Sequence, residues 1–210
     1  MNFQNFFNYQ FSTKIDKDNF FVNKTNQEAF DFSTLNNFDQ NIFLYGPKKS
    51  GKTNLINIWK EKNNALIYNN NFNEIIKTNN NIAIDDVFLT ISEEELFHII
   101  NHCKSFNLKM YVTSSVDLNN FNFKLQDLYS RLRSFYYLSI NIPDDEMCKM
   151  LMTKLFSEKQ IIIKNKEIFD YIFNRLNRSY YDIYFIVEKI DKLSLEKKRQ
   201  LTIPLIREIL

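Results

Sequence analysis

The sequence predicts an α/β domain, a parallel sheet with helices on both faces, followed by a smaller and wholly helical unit. Three observations carry that reading. Short apolar runs alternate with helical stretches from Ile42 to Ile140. Beyond Pro143 the strand signals stop and only helical periodicity continues. Both glycines of the 210-residue chain, Gly46 and Gly51, fall in one short segment between an apolar run and a helical stretch.

The elements follow in order. Residues 1–17 are polar, Asn-rich and studded with aromatics, with no sustained period of 2 or 3.6, and read as a flexible tail. Ile42 to Tyr45 reads as a buried strand, followed by a helix from Lys52 to about Lys62. Ala65 to Tyr68 and Asn81 to Asp85 are the next strands. A helix spans Glu93 to Phe106; Ser92 and Glu95 give it a capping box, which satisfies amides the first turn leaves unpaired. Strands at Lys109 to Thr113 and Tyr136 to Ile140 complete the sheet. Past Pro143, Asp144 to Glu158, Lys166 to Leu176 and Ser179 to about Leu193 carry apolar residues at three- and four-residue steps. A last short helix begins near Thr202, with Pro204 in its first turn, where a missing amide costs nothing. Three regions result: a tail (1–17), an α/β domain (18–142) and a helical domain (143–210).

Composition excludes several classes. Lys and Arg number 27 against 25 Asp and Glu, a net charge of +2, which is neither a strongly basic nucleic-acid binder nor an acidic tail. A hydrophobic fraction of 44% with 25% charged residues is that of a folded chain. No window of about 18 apolar residues exists to span a membrane, and no secretory signal pattern opens the chain. Cys103 and Cys148 form no disulfide framework and match no zinc spacing, so a reducing, cytoplasmic setting is expected. The wealth of Asn, Lys, Ile, Phe and Tyr, all with AT-rich codons, reads as genomic bias.

The segment Gly46-Pro47-Lys48-Lys49-Ser50-Gly51-Lys52-Thr53 matches G-x-x-x-x-G-K-[ST] without a mismatch. Such a loop wraps a phosphate with its amides pointing inward, which calls for glycine freedom at Gly46 and Gly51. Lys52 would reach the β- and γ-phosphates, Thr53 would place a hydroxyl on magnesium, and the helix beginning there adds its positive end. The cofactor expected is ADP or ATP with Mg. Asp85, at the end of an apolar strand, is the companion acid for magnesium; the adjacent Asp86 is a candidate to orient the attacking water. Two weaker patterns read as structure. His98 and His102, at i and i+4 beside Cys103, lack a third ligand and fit a half-exposed helix face. Lys197-Lys198-Arg199 fits a solvated helix end.

Taken together, the strand, the P-loop, the Asp-Asp strand, the strand ending Val112-Thr113-Ser114-Ser115 and the trailing helices resemble an AAA+ ATPase. More narrowly the chain is similar to the DnaA family and, within it, to the Hda type of replication regulator, over its whole length. The ending from Arg199 to Leu210 is the most diagnostic stretch. The resemblance implies an AAA+ P-loop base with a parallel sheet and a small helical lid. It implies that Phe21, Val22 and Asn26 flank the adenine. Ser130-Arg131-Leu132 matches the box that carries the arginine finger, so Arg131 takes that role in trans. Leu176-Asn177-Arg178 matches the sensor-2 motif, with Arg178 acting in cis. A guanidinium fork suits both tasks, since it neutralises charge spreading over phosphoryl oxygens. Gln4-Asn5-Phe6-Phe7 occupies the place of the short motif that docks on the DNA polymerase sliding clamp, with Gln4, Phe6 and Phe7 as its contacts. It departs from the family pattern at Asn5, and Gln10-Phe11 is a rival. Thr113-Ser114-Ser115 is less polar than the usual sensor-1 ending, and leaves open whether Thr113 or Ser115 meets the γ-phosphate or the water.

The function expected from the resemblance is that of a nucleotide-binding regulator. Tethered to the DNA-loaded clamp, it would present Arg131 to ATP held by DnaA and so repress re-initiation. The family's DNA-reading domain would begin where this sequence ends, at Leu210, so autonomous DNA reading is not expected. Two alternatives stay open. One is a self-sufficient ATPase acting as a homo-oligomer, like a helicase loader. The other is a clamp-bound adaptor with a structural nucleotide. The resident nucleotide, intrinsic ATPase activity and self-association are open as well.

Overall fold

The computed structural model describes residues 14–15, 20–163, 166–197 and 201–209. Gln4, Phe6 and Phe7, the rival Gln10-Phe11, and Lys198-Arg199 lie outside the described residues. In chain order the elements are β1 (Lys14–Ile15), β2 (Phe21–Val22), α1 (Gln27–Thr34), β3 (Ile42–Tyr45), α2 (Lys52–Lys62), β4 (Ala65–Ile67), α3 (Phe72–Ile75), β5 (Asn81–Ile84), α4 (Val87–Thr90), α5 (Glu93–Ser105), β6 (Met110–Ser114), α6 (Gln126–Leu132) and β7 (Tyr136–Ser139). The helical part holds α7 (Asp145–Glu158), α8 (Lys166–Phe173), α9 (Tyr180–Lys197) and α10 (Ile203–Ile206). A 3-10 turn covers Leu118–Asn120.

The five apolar runs become one parallel sheet in the order β4-β5-β6-β3-β7. Both faces of each strand must be covered, which is why the runs are continuously apolar rather than alternating. On one face Phe43, Ile82, Ile84, Met110 and Val112 pack with Leu96, Ile99 and Cys103 of α5 and with Leu128 and Leu132 of α6. On the other, α2 lies over β4, β5 and β6, and α1 over β7. There the fully buried Trp59 and Tyr111 rings sit 5.4 Å apart, and the Tyr111 hydroxyl shares a 2.7 Å hydrogen bond with Ser33. The α/β domain with a parallel sheet, followed by a helical unit, expected from the sequence is the architecture observed.

The contacts divide the chain into two units, residues 24–141 and residues 142–210 with the segment up to Asn23. In the second unit α7 packs on α9 and α8 on α10, around Met147, Leu151, Leu155, Phe169, Ile172, Ile183, Ile186 and Ile190. Asp144 caps α7, accepting from the Met147 amide at 2.8 Å and from Asn23 Nδ2 at 3.0 Å. Phe20 to Asn23, assigned above to the α/β domain, group with this helical unit because β2 packs on α7, burying Phe20 and Val22. Lys14–Ile15, within the stretch read as tail, pairs antiparallel with Phe21–Val22.

The predicted strand boundaries fall within one residue of those observed. Helices α1, α3, α4 and α6, which the sequence pattern does not announce, are eight residues or shorter, too few turns to show a period against polar neighbours. The capping box is present in full: Ser92 Oγ accepts from the Glu95 amide at 3.3 Å, and the Glu95 carboxylate accepts from the Ser92 amide at 3.5 Å. Ser92→Ala should therefore lower stability by about 1 kcal/mol, read as a shifted urea midpoint at unchanged slope.

Candidate functional site

The site forms at the C-terminal ends of β3, β5 and β6, all within residues 24–141. β6 lies between the other two, in register with both: Tyr45 pairs with Ser114, and Ile84 with Val112. The loop 46–53 leaves β3 and turns into α2. Gly51 stands at φ 94°, a left-handed conformation open to glycine. Gly46 has a different reason from the one read in the sequence. It needs space rather than a left-handed backbone, since a Cβ there would stand 2.9 Å from Ser50 Oγ and 3.0 Å from Ile140 Cβ. The Gly46 amide donates to the Ser114 carbonyl at 3.1 Å, fastening the start of the loop to β6.

Lys52 is buried in the first turn of α2, and its ammonium donates to the carbonyls of Gly46 at 2.8 Å and Pro47 at 3.0 Å. Burial lowers its pKa from 10.5, opposed by the negative charges of Asp86 and Asp85 and assisted by Lys48. The side chain thus bridges the loop while its charge faces the two acids. Ser50 Oγ, buried beside Gly46, is without a hydrogen-bond partner among the described residues. Lys49 is held at φ 66°.

Thr53 Oγ1 donates to Asp85 Oδ2 at 2.7 Å, so the hydroxyl and the carboxylate read as a magnesium pair come together. The other oxygen, Asp85 Oδ1, accepts from the fully buried Thr113 hydroxyl at 2.5 Å. Asp86 stands at φ 48°; its amide donates to Thr113 Oγ1 at 2.8 Å. Its carboxylate accepts from the Ser115 amide at 3.0 Å and from the Ser115 hydroxyl, 2.9 Å from Oδ2. The carboxylate read as a water-orienting acid is therefore tied to the end of β6. A close-packed loop, an unpartnered hydroxyl within it, a buried ammonium and a hydroxyl–carboxylate pair of hard oxygens suit a phosphate group with a divalent cation.

The remaining residues lie elsewhere. Arg131, half-buried at the end of α6, places its guanidinium 4.6 Å from the centre of the Phe97 ring. It lines a cleft with Asp39, Asn41, Lys104, Lys109 and Phe135. Asp39 and Asn41 precede β3 and Lys109 precedes β6, so Arg131 is at the N-terminal edge of the sheet while the loop 46–53 is at the C-terminal edge. Asn26, buried at the start of α1, belongs to the same unit.

Phe21, half-buried with Lys154 Nζ 5.5 Å from its ring centre, and the buried Val22 belong to the helical unit. Arg178 is there too. Its Nε donates to Asp145 at 2.8 Å, its Nη1 to the carbonyls of Leu176 at 2.8 Å and Phe173 at 3.0 Å, and it lies over the Phe173 ring. Ser179 Oγ accepts from the Asp182 amide at 3.0 Å, capping α9.

His102 is bonded to the Thr78 carbonyl at 3.0 Å, and His98 lies edge-on to Phe72. Among the described residues no group of three or more His, Cys, Asp or Glu could hold a metal ion. Burial pushes the Cys103 thiol up to about 12 and Cys148 to about 11, in keeping with inert structural thiols. No helix among the described residues is long and apolar enough to cross a membrane.

Residues 144–210 match the family model "Hda, lid domain". The chain is 28% identical to the chromosomal replication initiator protein DnaA of Buchnera aphidicola subsp. Cinara cedri, in an alignment covering all of this chain and 55% of that protein. It thus spans little more than half the relative's length. Among solved structures, domain III of the Thermotoga maritima replication initiation protein DnaA superposes with a TM-score of 0.73 at 18% identity, covering 94% of this chain and 98% of that one. AMPPCP-bound DnaA from Aquifex aeolicus gives 0.66 at 20% identity, covering 86% and 67%.

The two glycines should respond differently to substitution. Gly46→Ala overpacks the loop against Ser50 and Ile140 and should cost about 1–3 kcal/mol. Gly51→Ala strains only the backbone and should cost about 1 kcal/mol. Urea unfolding of the two variants beside the parent protein measures the difference.

Proposed function

We propose that this chain, a DnaA-related and Hda-like AAA+ protein, is a nucleotide-binding regulator of replication initiation that acts on the ATPase site of DnaA. The loop 46–53 binds ADP or ATP: backbone amides and Lys52 meet the phosphates, and Thr53 with Asp85 would hold Mg. When bound, the cation neutralises phosphate charge. The resemblance assigns Phe21, Val22 and Asn26 to the adenine and Arg178 to sensor 2, on the sequence alone. Gln4, Phe6 and Phe7 tether the protein to the sliding clamp, supported by the sequence alone. Asp86, held by Ser115, is a weaker candidate for orienting water than it is for shaping the turn beside Asp85. Homo-oligomer formation is not required by this mechanism.

The observation that carries the reading is the position of Arg131. A strand of four residues spans roughly 13 Å, and Arg131 and the chain's own P-loop lie at its opposite ends. A guanidinium so placed serves a nucleotide held by another molecule. Its cationic face rests on Phe97, which presents it in one orientation rather than leaving it to solvent.

Arg131→Ala should leave this protein's affinity for ADP unchanged and return ATP hydrolysis by DnaA, in the presence of DNA-loaded clamp, to the unstimulated rate. Full stimulation by the variant overturns the role. Lys52→Ala should abolish binding of fluorescent ADP. Turnover by the protein alone, rising with its concentration and lost in Lys52→Ala, would instead place it with self-sufficient motors.

A further inference from the structure

The end of β6 supplies three hydroxyls close to the site, and the hydrogen bonds account for each proton. A hydroxyl has one proton to give and two lone pairs to receive. Thr113 Oγ1 receives the Asp86 amide at 2.8 Å, so the proton it holds is the one shared with Asp85 Oδ1 at 2.5 Å. Ser114 gives its proton to the Val116 carbonyl at 2.7 Å and receives the Val116 amide at 2.9 Å. Ser115 Oγ lies 2.9 and 3.1 Å from the two Asp86 oxygens, acceptors only when ionised, so its proton is committed there. None of these protons is directed at a phosphate or a water in the loop.

Instead the three residues hold the two walls of the site. Thr113 and Ser115 fix the turn at Asp85 and Asp86, whose left-handed φ of 48° at Asp86 would be costly without such support. The Ser114 carbonyl receives the Gly46 amide. Asp85 is gripped at both oxygens, by Thr53 on one and Thr113 on the other. From this we propose that Thr113 is a positioning residue for the cation-holding carboxylate, assisted by Ser115, and that the end of β6 acts on bound nucleotide through Asp85 rather than by touching it. The proposal rests on the nucleotide–magnesium reading of the loop. Orientation of a ligating carboxylate by a buried hydrogen bond governs cation affinity, and loss of such a partner costs about 10- to 100-fold.

The experiment measures fluorescent ADP binding in EDTA and then as a function of added Mg²⁺, with thermal melting to verify folding. Thr113→Val keeps the shape and removes the hydroxyl. It should bind ADP in EDTA as the parent does, while the Mg²⁺ concentration that half-saturates the tightening rises at least tenfold. Thr113→Ser should restore the parental midpoint, which a purely steric role for the threonine would not predict. In an Asp85→Asn background, Thr113→Val should no longer move the midpoint, because the carboxylate it positions is gone. If Thr113→Val does not fold, Ser115→Ala decides, with a smaller rise in the same midpoint expected. An unmoved midpoint in the folded variants overturns the proposal while leaving the nucleotide site intact. Loss of ADP binding in EDTA by Thr113→Val would instead make the hydroxyl a nucleotide contact. A parent protein that binds ADP neither with nor without Mg²⁺ would remove the nucleotide reading itself.

Discussion

The site depends on the position of β6 between β3 and β5. The P-loop leaves β3 and the acidic turn leaves β5, and these two strands do not pair with each other. What brings Thr53 to Asp85 is that each flanking strand is registered on β6 and each flanking loop is bonded to its end. Gly46 is fastened by its amide, Asp85 by its carboxylate, and Asp86 by both amide and carboxylate. Thr113 and Ser114 are completely buried, so a lost partner at either leaves an uncompensated polar group. A shift of β6 by one residue would turn Thr113 away from the turn and put Val112 or Ser114 in its place.

The parallel sheet also sets the division of labour between its two edges. All five strands start at one edge and end at the other, so groups placed before β3 and after it cannot meet. The loop 46–53 takes the C-terminal edge, where the backbone leaves β3 and enters α2. Arg131 takes the N-terminal edge, in a cleft with the Lys104 and Lys109 side chains, and Lys109 is paired with Asp39 at 3.2 Å.

Much of this was legible from residue patterns because the physics involved is local. The apolar runs read as buried strands and are found as such, and the segment from Gly46 to Thr53 marks the tight loop and helix start found between β3 and α2. The Ser92 cap was visible because its partner lies three residues away. The tie from Thr113 to Asp85 spans 28 residues and depends on strand order, which no local pattern states. The support of Arg131 by Phe97 was invisible for the same reason, since α5 and α6 are brought together by tertiary contacts. The four short helices carried too few residues to declare themselves.

The scarcity of glycine also shows where the chain accepts strain. A left-handed backbone is tolerated by asparagine better than by other side-chain-bearing residues, and Asn37, Asn64, Asn70 and Asn107 occupy such positions in loops. An Asn-rich composition thus replaces most of the glycines a fold of this kind would use in turns. Among the described residues three further left-handed positions bear no asparagine: Lys49, Asp86 and Gln160. Gln160 follows the end of α7, where such a conformation terminates a helix. The other two lie in the P-loop and in the acidic turn, beside Lys52 and Asp85. At Asp86 the cost is met by the bonds to Thr113 and Ser115, so the strained turn and its restraint belong to one arrangement. Substituting the more permissive asparagine at Asp86 would relax the backbone and surrender the carboxylate that Ser115 holds. The turn keeps the aspartate because the anchorage matters more than the strain.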